Sequence, residues 1–339
     1  MRVLVVPDSF KGTYTASSVA EAIGSGITAA GATPLLLPVA DGGEGTFETL
    51  RAALDAEVFE VETQNPWGAP LTARIAVSRD GTAVVELAQA SGITVAHDGP
   101  RNPLTASTYG TGVLISAAVR HGARKILVAA GGSATTDGGI GAVRAIEEAG
   151  GLAGASLTVL TDVITSFTEA ARVFAPQKGA DAAEVEQLTA RLRAQARRFP
   201  RNPTDVPRTG AAGGFSGGLW AHYGAELVSG ADHLLDAVEF DARRREVDAV
   251  VVGEGRLDAQ TGQGKIIEAI LRRTRRSDPE LPVVAVVGSV SADLGDYAEN
   301  FADIVIASDD RALHAAGRTV VESLRRRAGP HRDHPAASC

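Results

Sequence analysis

The sequence predicts an α/β protein with two domains built on mainly parallel sheets. Short runs of Val, Ile and Leu alternate with Ala-rich helical stretches along the chain, as strands and helices alternate in a parallel sheet. The chain has 339 residues, and single hydrophobic cores usually stop growing near ~250–300 residues. Hydrophobic residues make up 44% of the sequence and aromatic residues 4%, so we expect cores packed mainly with aliphatic side chains.

The first elements predicted are a strand at 2–6, a helix at 17–30, a strand at 34–39 and a helix at 44–54. Strands at 58–62, 71–77 and 83–87 follow, separated by turn signals at Pro66-Trp67-Gly68 and Asp80-Gly81. Because these strands are short and closely spaced, they predict a β meander.

The later elements return to the parallel pattern. A strand at 125–130 runs into a glycine-rich segment at 131–139, and a strand at 157–160 precedes a helix at 182–198. Residues 199–209 contain three prolines and predict a loop. Strands at 249–252, 283–287 and 304–307 alternate with helices, the first of them at 266–273.

The order of these elements predicts a discontinuous first domain. Five strands come from the two ends of the chain and five from its middle, which favours a doubly wound domain at 1–56 plus 228–328 and a second α/β domain inserted at 57–227. Residues 329–339 are expected to form a disordered tail.

Composition restricts the classes of partner. A net charge of −8 and a pI near 5.5 give no general attraction to nucleic acid or to a membrane surface, so small molecules are the expected partners. The only cysteine is Cys339, which excludes an internal disulfide and a thiolate zinc site. No apolar run approaches the ~18 residues of a membrane span, and the cytoplasm is the expected location.

Polar residues follow three of the predicted strands of the outer domain. Ligands of open α/β sheets bind at the carboxyl ends of the strands, so we expect these residues to face one crevice; Asp and Ser at such positions could also be ordinary helix N-caps. The residues are Asp8, Ser9, Lys11, Asp41, Glu44, Glu254, Arg256 and Asp258.

Segment 131–139 combines four glycines with three hydroxyl side chains between a strand and a helix. Backbone N–H groups and hydroxyls in such a loop can surround an anion, and a bland glycine-rich turn is the alternative. The segment matches neither GxGxxG nor the Walker A pattern, which disfavours a Rossmann dehydrogenase.

Lysine is rare in this chain and its positions are informative. Only four of the 33 Lys and Arg residues are lysines, and Lys11, Lys178 and Lys265 each adjoin a glycine. A compact ammonium beside a permissive backbone can approach a phosphate closely. Residues 253–265, GEGRLDAQTGQGK, add acids, Arg, Gln and Thr, a set that suits a phosphate, Mg²⁺ and a hydroxyl acceptor.

Seven motifs occur in order: PDSFKG at 7–12, DGGEGT at 41–46, NPLTASTYGTG at 102–112, GGSATTDGG at 131–139, PQKGA at 176–180, GAAGG at 210–214 and GEGRLDAQTGQGK at 253–265. On these motifs the sequence resembles the glycerate kinase family over nearly its whole length. The resemblance implies ATP-dependent phosphorylation of D-glycerate, usually at the 2-hydroxyl. It also implies a flavodoxin-like domain into which a restriction-endonuclease-like α/β domain is inserted.

Matching positions of the family motifs give the site hypotheses. Catalytic roles are expected for Lys11, Asp41, Arg256 and Asp258, with Asp41 or Asp258 as proton acceptor and Lys11 or Arg256 near the substrate carboxylate. Asp8, Ser9 and Glu254 are expected to bind substrate, and Asp137 and Glu44 to bind Mg²⁺. ATP is expected at Gly131, Gly132, Ser133, Thr135, Thr136, Lys178 and Lys265.

The sequence also departs from the family. Members usually carry a longer segment with a DVxNPLxGPxGA-like loop, whereas residues 141–175 are short and read TDVITSF at 161–167. Two alternatives therefore stay open: a kinase for another short sugar acid, and a non-catalytic metabolite-binding relative.

Overall fold

The computed structural model describes residues 1–10, 13–40, 43, 45–258 and 266–328. The strands in chain order are β1 Arg2–Pro7, β2 Thr33–Leu36, β3 Glu57–Gln64, β4 Pro70–Val77, β5 Thr82–Glu86, β6 Lys125–Ala129, β7 Ser156–Leu160, β8 Glu226–Val228, β9 Ala249–Glu254, β10 Val283–Val287 and β11 Asp303–Ile306. The helices are α1 Ala16–Ala29, α2 Thr46–Ala53, α3 Ala88–Ser91, α4 Tyr109–Arg120, α5 Ile140–Glu148, α6 Ala170–Phe174, α7 Ala182–Ala196, α8 Ala211–Tyr223, α9 Gly230–Ala237, α10 Phe240–Arg244, α11 Ile266–Ser277 and α12 Asp310–Ala328.

The chain forms two compact units. The first comprises Met1–Val39 together with the chain from Glu239 onward, and the second is Ala40–Val238. The sequence placed the domain boundaries after residues 56 and 227. The units divide elsewhere because α2 and α9 pack beside the second sheet.

The first unit is a doubly wound parallel sheet with strand order β2-β1-β9-β10-β11. In order of the strands along the chain this is 2-1-3-4-5, the flavodoxin-like arrangement. One face of the sheet packs on α1 and α12, and its core includes Val5, Val251, Val286, Ile23 and Val320. Strand order reverses between β1 and β9, where this fold class binds its ligands.

The second unit has a six-stranded sheet in the order β3-β4-β5-β6-β7-β8. The pairs β3/β4 and β4/β5 are antiparallel, which confirms the predicted meander, and the other pairs are parallel. The two faces of this sheet are both apolar, as expected for buried strands. Ile126 and Val128 face the core that contains α4, α5 and α8, whereas Leu127 faces α2 and α9.

The predicted loop at 199–209 and the predicted helix before it are confirmed. Several elements are additional to the sequence prediction, namely strand β8 and helices α3, α4, α6, α8, α9 and α10. Strand β8 has only three residues, too few to show a periodic pattern, and α4 begins inside the NPLTASTYGTG motif, whose hydroxyl and glycine residues disguise a helix. Within the described residues, no helix is both long enough and apolar enough to cross a membrane.

Candidate functional site

The glycine-rich segment 131–139 lies in the second unit, between the carboxyl end of β6 and the start of α5. The N–H of Ile93 donates to the carbonyl of Gly132 at 2.8 Å, and the N–H of Ala134 donates to the carbonyl of Ser91 at 2.9 Å. The chain that follows α3 therefore fixes the backbone of the loop along one side.

Three successive backbone N–H groups of this loop are available to a ligand. Those of Gly131, Gly132 and Ser133 donate to no protein acceptor within the described part of the chain. Gly132 has a φ of 70° and is exposed, and Gly131 is half-buried. Consecutive N–H groups around a left-handed residue form a concave anion-binding turn.

The carboxylate of Asp137 holds the second half of the loop. Its Oδ2 accepts hydrogen bonds from the N–H and the hydroxyl of Thr108, both at 2.8 Å, and from the N–H of Gly141 at 3.2 Å. Its Oδ1 accepts from the N–H of Gly139 at 3.0 Å. Asp137 is 6% exposed. Four protein donors thus occupy the carboxylate that was expected to bind Mg²⁺, which supports a structural role for it.

The hydroxyl side chains of the loop turn inward. Ser133 Oγ lies 2.9 Å from Thr135 Oγ1 and accepts from the N–H of Thr135 at 3.0 Å. Thr135 is fully buried, and Thr136 is 1% exposed with an Oγ1 atom that has no hydrogen-bond partner in the described structure. These side chains shape the loop, while its exposed surface is the backbone of Gly131 and Gly132.

Lys178 also lies against the loop, at the end of a 3-10 turn, Pro176–Lys178. Its Nζ donates to the carbonyl of Thr135 at 2.5 Å, and the side chain is 9% exposed. Burial lowers the pKa of Lys178 to about 8, and the nearby Asp137 carboxylate opposes this effect. The sequence predicts that this ammonium binds the cofactor, which stays a prediction; in the structure its hydrogen bond is to the backbone of the loop.

The GAAGG motif forms the other support of the loop. Residues 212–214 have positive φ values at the start of α8, and the N–H of Gly138 donates to the carbonyl of Gly213 at 3.1 Å. A Cβ atom on Gly213 would lie 2.0 Å from the carbonyl oxygen of Thr135. Only glycine fits this approach of the two segments.

Arg101 is a nearby cation that the sequence prediction missed. Its Nη1 donates to the carbonyl of Ile93 at 2.6 Å, its Nη2 donates to the carbonyl of Val95 at 3.3 Å, and its guanidinium lies 5.9 Å from the centre of the Trp67 ring. Arg101 is exposed, and Ile93 itself bonds to Gly132. Its position directly before the NPLTASTYGTG motif was the available signal.

In the first unit, Asp8 and Ser9 lie at the carboxyl end of β1, where the strand order reverses. The N–H of Asp8 donates to the carbonyl of Gly253 at 2.8 Å, and the N–H of Ser9 donates to Oδ1 of Asp8 at 2.6 Å. Asp8 is 6% exposed. The structure therefore brings Asp8 and Ser9 beside the end of β9, whose continuation carries Arg256 and Asp258.

Glu254, at the end of β9, lies close enough to Tyr297 to affect the pKa of its hydroxyl. The Tyr297 hydroxyl donates to Glu268 Oε2 at 3.3 Å. Burial is the main cause that raises the pKa of Tyr297, and the Glu268 and Glu254 carboxylates raise it further. Tyr297 was not singled out by its sequence, because its 3-10 turn, Gly295–Asn300, follows a different strand.

Several predicted site residues lie outside the described residues: Lys11, Asp41, Glu44 and Lys265. Their expected meeting with the other site residues stays a prediction. Within the ranges that the structure describes, no group of three or more His, Cys, Asp or Glu side chains is arranged to hold a metal ion.

Comparison with known proteins gives consistent matches. The model of the glycerate kinase family matches residues 3–150 and 146–329. The glycerate kinase of Bacillus subtilis (strain 168) is 36% identical, over 86% of each chain. The glycerate 2-kinase of Escherichia coli (strain K12) is 33% identical, over 91% of this chain and 90% of its own. A crystal structure of a protein designated glycerate kinase 2 from Salmonella typhimurium LT2 superposes with a TM-score of 0.81 at 30% identity, covering 97% of this chain and 99% of that one.

Proposed function

Because this chain belongs to the glycerate kinase family, we propose that it transfers the γ-phosphoryl group of ATP to the 2-hydroxyl of D-glycerate. The products are 2-phosphoglycerate and ADP. The observation that carries the proposal is the similarity to named glycerate kinases over 86% and 91% of the chain.

The backbone of residues 131–133 binds phosphate oxygens of ATP. Three N–H groups without protein acceptors, one of them at a left-handed glycine, supply donors that need no rearrangement. Fixed donors of this kind stabilise the charge that develops during phosphoryl transfer. The side chains of Asp137 and Lys178 and the backbone of Thr135 make hydrogen bonds that hold the conformation of the loop.

The strand-end residues of the first unit bind glycerate. Asp8, Ser9 and Glu254 lie at the ends of β1 and β9, and the exposed Arg256 supplies a guanidinium. Lys11, which lies outside the described residues, is the second expected cation. Guanidinium groups suit carboxylates because two parallel N–H donors match the two oxygens.

The reaction itself needs one bond made, one broken and one proton moved. The 2-oxygen of glycerate bonds to the γ-phosphorus while the bond from that phosphorus to the ADP oxygen breaks. A carboxylate, Asp41 or Asp258, accepts the hydroxyl proton. Asp258 follows β9 in the described structure, and Asp41 does not fall within it.

Mg²⁺ is the predicted metal, and its charge would neutralise phosphate oxygens when it is bound. Asp137 does not fit as its direct ligand, because protein donors already bond to both carboxylate oxygens. Titrating the assay with EDTA and then with MgCl₂ tests the requirement.

The proposal is tested by a coupled ADP-release assay with ATP, Mg²⁺ and D-glycerate, followed by NMR of the product. We expect ADP release that depends on D-glycerate and phosphorus coupling to the C2 proton. Coupling to the C3 protons would show 3-phosphoglycerate and contradict the assignment of the hydroxyl.

A panel of short hydroxy acids serves as the control for substrate identity. Faster turnover of another acid than of D-glycerate would favour the alternative kinase. ATP binding without turnover of any acid would favour a metabolite-binding protein. The cytoplasm stays the predicted location, which cell fractionation can test.

A further inference from the structure

The chains that leave β9 and β10 continue side by side beyond the ends of both strands. The N–H of Leu257 donates to the carbonyl of Ser289 at 2.9 Å, and the N–H of Ser291 donates to the carbonyl of Leu257 at 2.9 Å. Leu257 and Val290 form a parallel bridge. One further residue pair, joined by two hydrogen bonds, thus extends the pairing of these chains at the edge of the sheet where ligands bind.

A close backbone approach allows this extension. The N–H of Gly288 donates to the carbonyl of Glu254 at 3.1 Å. A Cβ atom on Gly288 would lie 2.6 Å from the carbonyl oxygen of Gly255. The two segments are therefore held at a fixed separation.

Successive side chains of paired extended segments point to opposite faces. Leu257 is fully buried, so its neighbours Arg256 and Asp258 lie on the other face. Val290 pairs with Leu257, which places Ser289 and Ser291 on that same face. The bond from Arg256 Nη2 to Ser291 Oγ, at 3.4 Å, agrees with this alternation.

The guanidinium of Arg256 bonds to Ser291 and still has donors available. It has no carboxylate oxygen within 4.0 Å among the residues that the structure describes, and it is exposed. The hydroxyl of Ser291 lowers the pKa of Asp293, and Arg256 lowers it further. Ser291 therefore interacts with both Arg256 and Asp293. Ser289 is exposed beside it, and its Oγ donates to the carbonyl of Gly255 at 3.5 Å.

We infer that Arg256, Ser289 and Ser291 form the subsite for the carboxylate of the three-carbon substrate. This inference rests on the proposed function and extends it to two serines. Arg256 and the Ser289 hydroxyl contact the carboxylate, and Ser291 is a positioning residue that orients the guanidinium.

The subsite also explains why the 2-hydroxyl would be the acceptor. In glycerate the carbon that bears the 2-hydroxyl is bonded directly to the carboxylate carbon. Holding the carboxylate therefore restricts the 2-oxygen closely, whereas the 3-oxygen keeps an additional rotatable bond. Positioning of the reacting oxygen is the main protein contribution in phosphoryl transfer.

The test compares Ser289→Ala, Ser291→Ala, Arg256→Lys and Arg256→Gln in the full chain, with Ser277→Ala as the matched control. Ser277 is an exposed serine on α11 whose hydroxyl bonds only to the preceding turn. For each protein, KM for D-glycerate, KM for ATP and kcat are measured, and D-glycerate binding is measured by calorimetry.

We expect each serine variant to raise KM for D-glycerate about tenfold and Arg256→Gln to raise it about 100-fold, as for lost hydrogen bonds to a charged group. The rise in KM for Arg256→Lys should fall between these values, since lysine keeps the positive charge but lacks the paired N–H donors of the guanidinium. KM for ATP should stay within about twofold of wild type. The preference for D-glycerate over glycerol, which lacks the carboxylate, should narrow in every variant except Ser277→Ala.

Circular dichroism spectra and unfolding midpoints establish that the variants are folded. A wild-type protein without D-glycerate turnover would contradict the proposed function itself. If the wild-type protein phosphorylates D-glycerate but its serine and arginine variants keep the wild-type KM for D-glycerate, only this inference is overturned. A rise confined to KM for ATP would overturn it as well.

Discussion

At the scale of single residues, the most informative side chain is a buried lysine. Lys178 is 9% exposed and donates to the Thr135 carbonyl of the loop at 131–139. A buried ammonium costs free energy in its charged form, which is why burial lowers its pKa to about 8. The residue therefore couples the pH to the stability of the second unit.

The first prediction concerns this coupling. Between about pH 8 and pH 10.5 the unfolded chain holds the proton of Lys178 while the folded chain has lost it, so the free energy of unfolding should rise with pH across that window. The contribution should total on the order of 3 kcal/mol and should be absent in Lys178→Met. Urea denaturation from pH 7.5 to 10.5 measures the difference between the two proteins.

Lys125→Met is the control, because Lys125 is exposed at the start of β6. This variant should follow the wild-type pH dependence. Parallel curves for wild type and Lys178→Met would show that Lys178 is not buried as a charge in the folded protein.

At the scale of elements, the loop at 131–139 is supported from outside by the start of α8. Gly213 approaches Thr135 so closely that a Cβ atom would lie 2.0 Å from its carbonyl oxygen, and its φ is 66°. The glycine motif at 210–214 thus serves packing. Its glycines allow the start of α8 to pack directly against the backbone of the loop at 131–139.

Gly213→Ala should therefore be severely destabilising, by about 3 kcal/mol or more, since it adds a backbone clash to the strain of a left-handed residue. Gly150→Ala is the matched control. Gly150 has a φ of 92° and no atom within 4 Å of an added Cβ, so only about 1 kcal/mol of strain is expected there.

Urea denaturation and ATP binding by calorimetry check this pair. The Gly213 variant should also bind ATP more weakly, because the loop that offers the phosphate donors loses its support. Equal destabilisation by the two substitutions would mean that the contact with Thr135 contributes nothing.

At the scale of the whole molecule, each unit has a core of its own. In the second unit, Phe47 and Leu50 of α2 and Leu234 of α9 cover the face of the sheet formed by Val84 and Leu127. Phe47, Leu50 and Leu234 are at most 1% exposed. Residues outside the predicted insertion at 57–227 therefore belong to its hydrophobic core.

We predict that a fragment of residues 40–238 folds by itself and that a fragment of residues 57–227 does not. Removing three buried side chains of this size forfeits roughly 6 kcal/mol, which is comparable to the whole stability of an ordinary domain. Circular dichroism and thermal unfolding of both fragments measure this. A cooperative transition in the shorter fragment would support the boundaries predicted from the sequence.

The sequence by itself determined the fold class, the order of all strands except β8, and the family. Alternating apolar runs and turn residues act over a few positions, so they predict strands, helices and the meander without knowledge of packing. The same local chemistry revealed the glycine-rich loop and the strand-end acids. Strand β8 escaped because three residues carry too little pattern.

Only the tertiary structure decided which polar side chains of those motifs are buried and which are exposed. Asp137, Thr135 and Lys178 have the composition of a cofactor site, yet the fold turns them inward to hold the loop. Ser291 and Arg101 lie outside the motifs. The fold brings Ser291 beside Arg256, and it brings Arg101 beside Ile93, whose N–H donates to Gly132. The physical reason is that burial and direction depend on contacts between residues distant in sequence, such as Lys178 with Thr135, which no local pattern encodes.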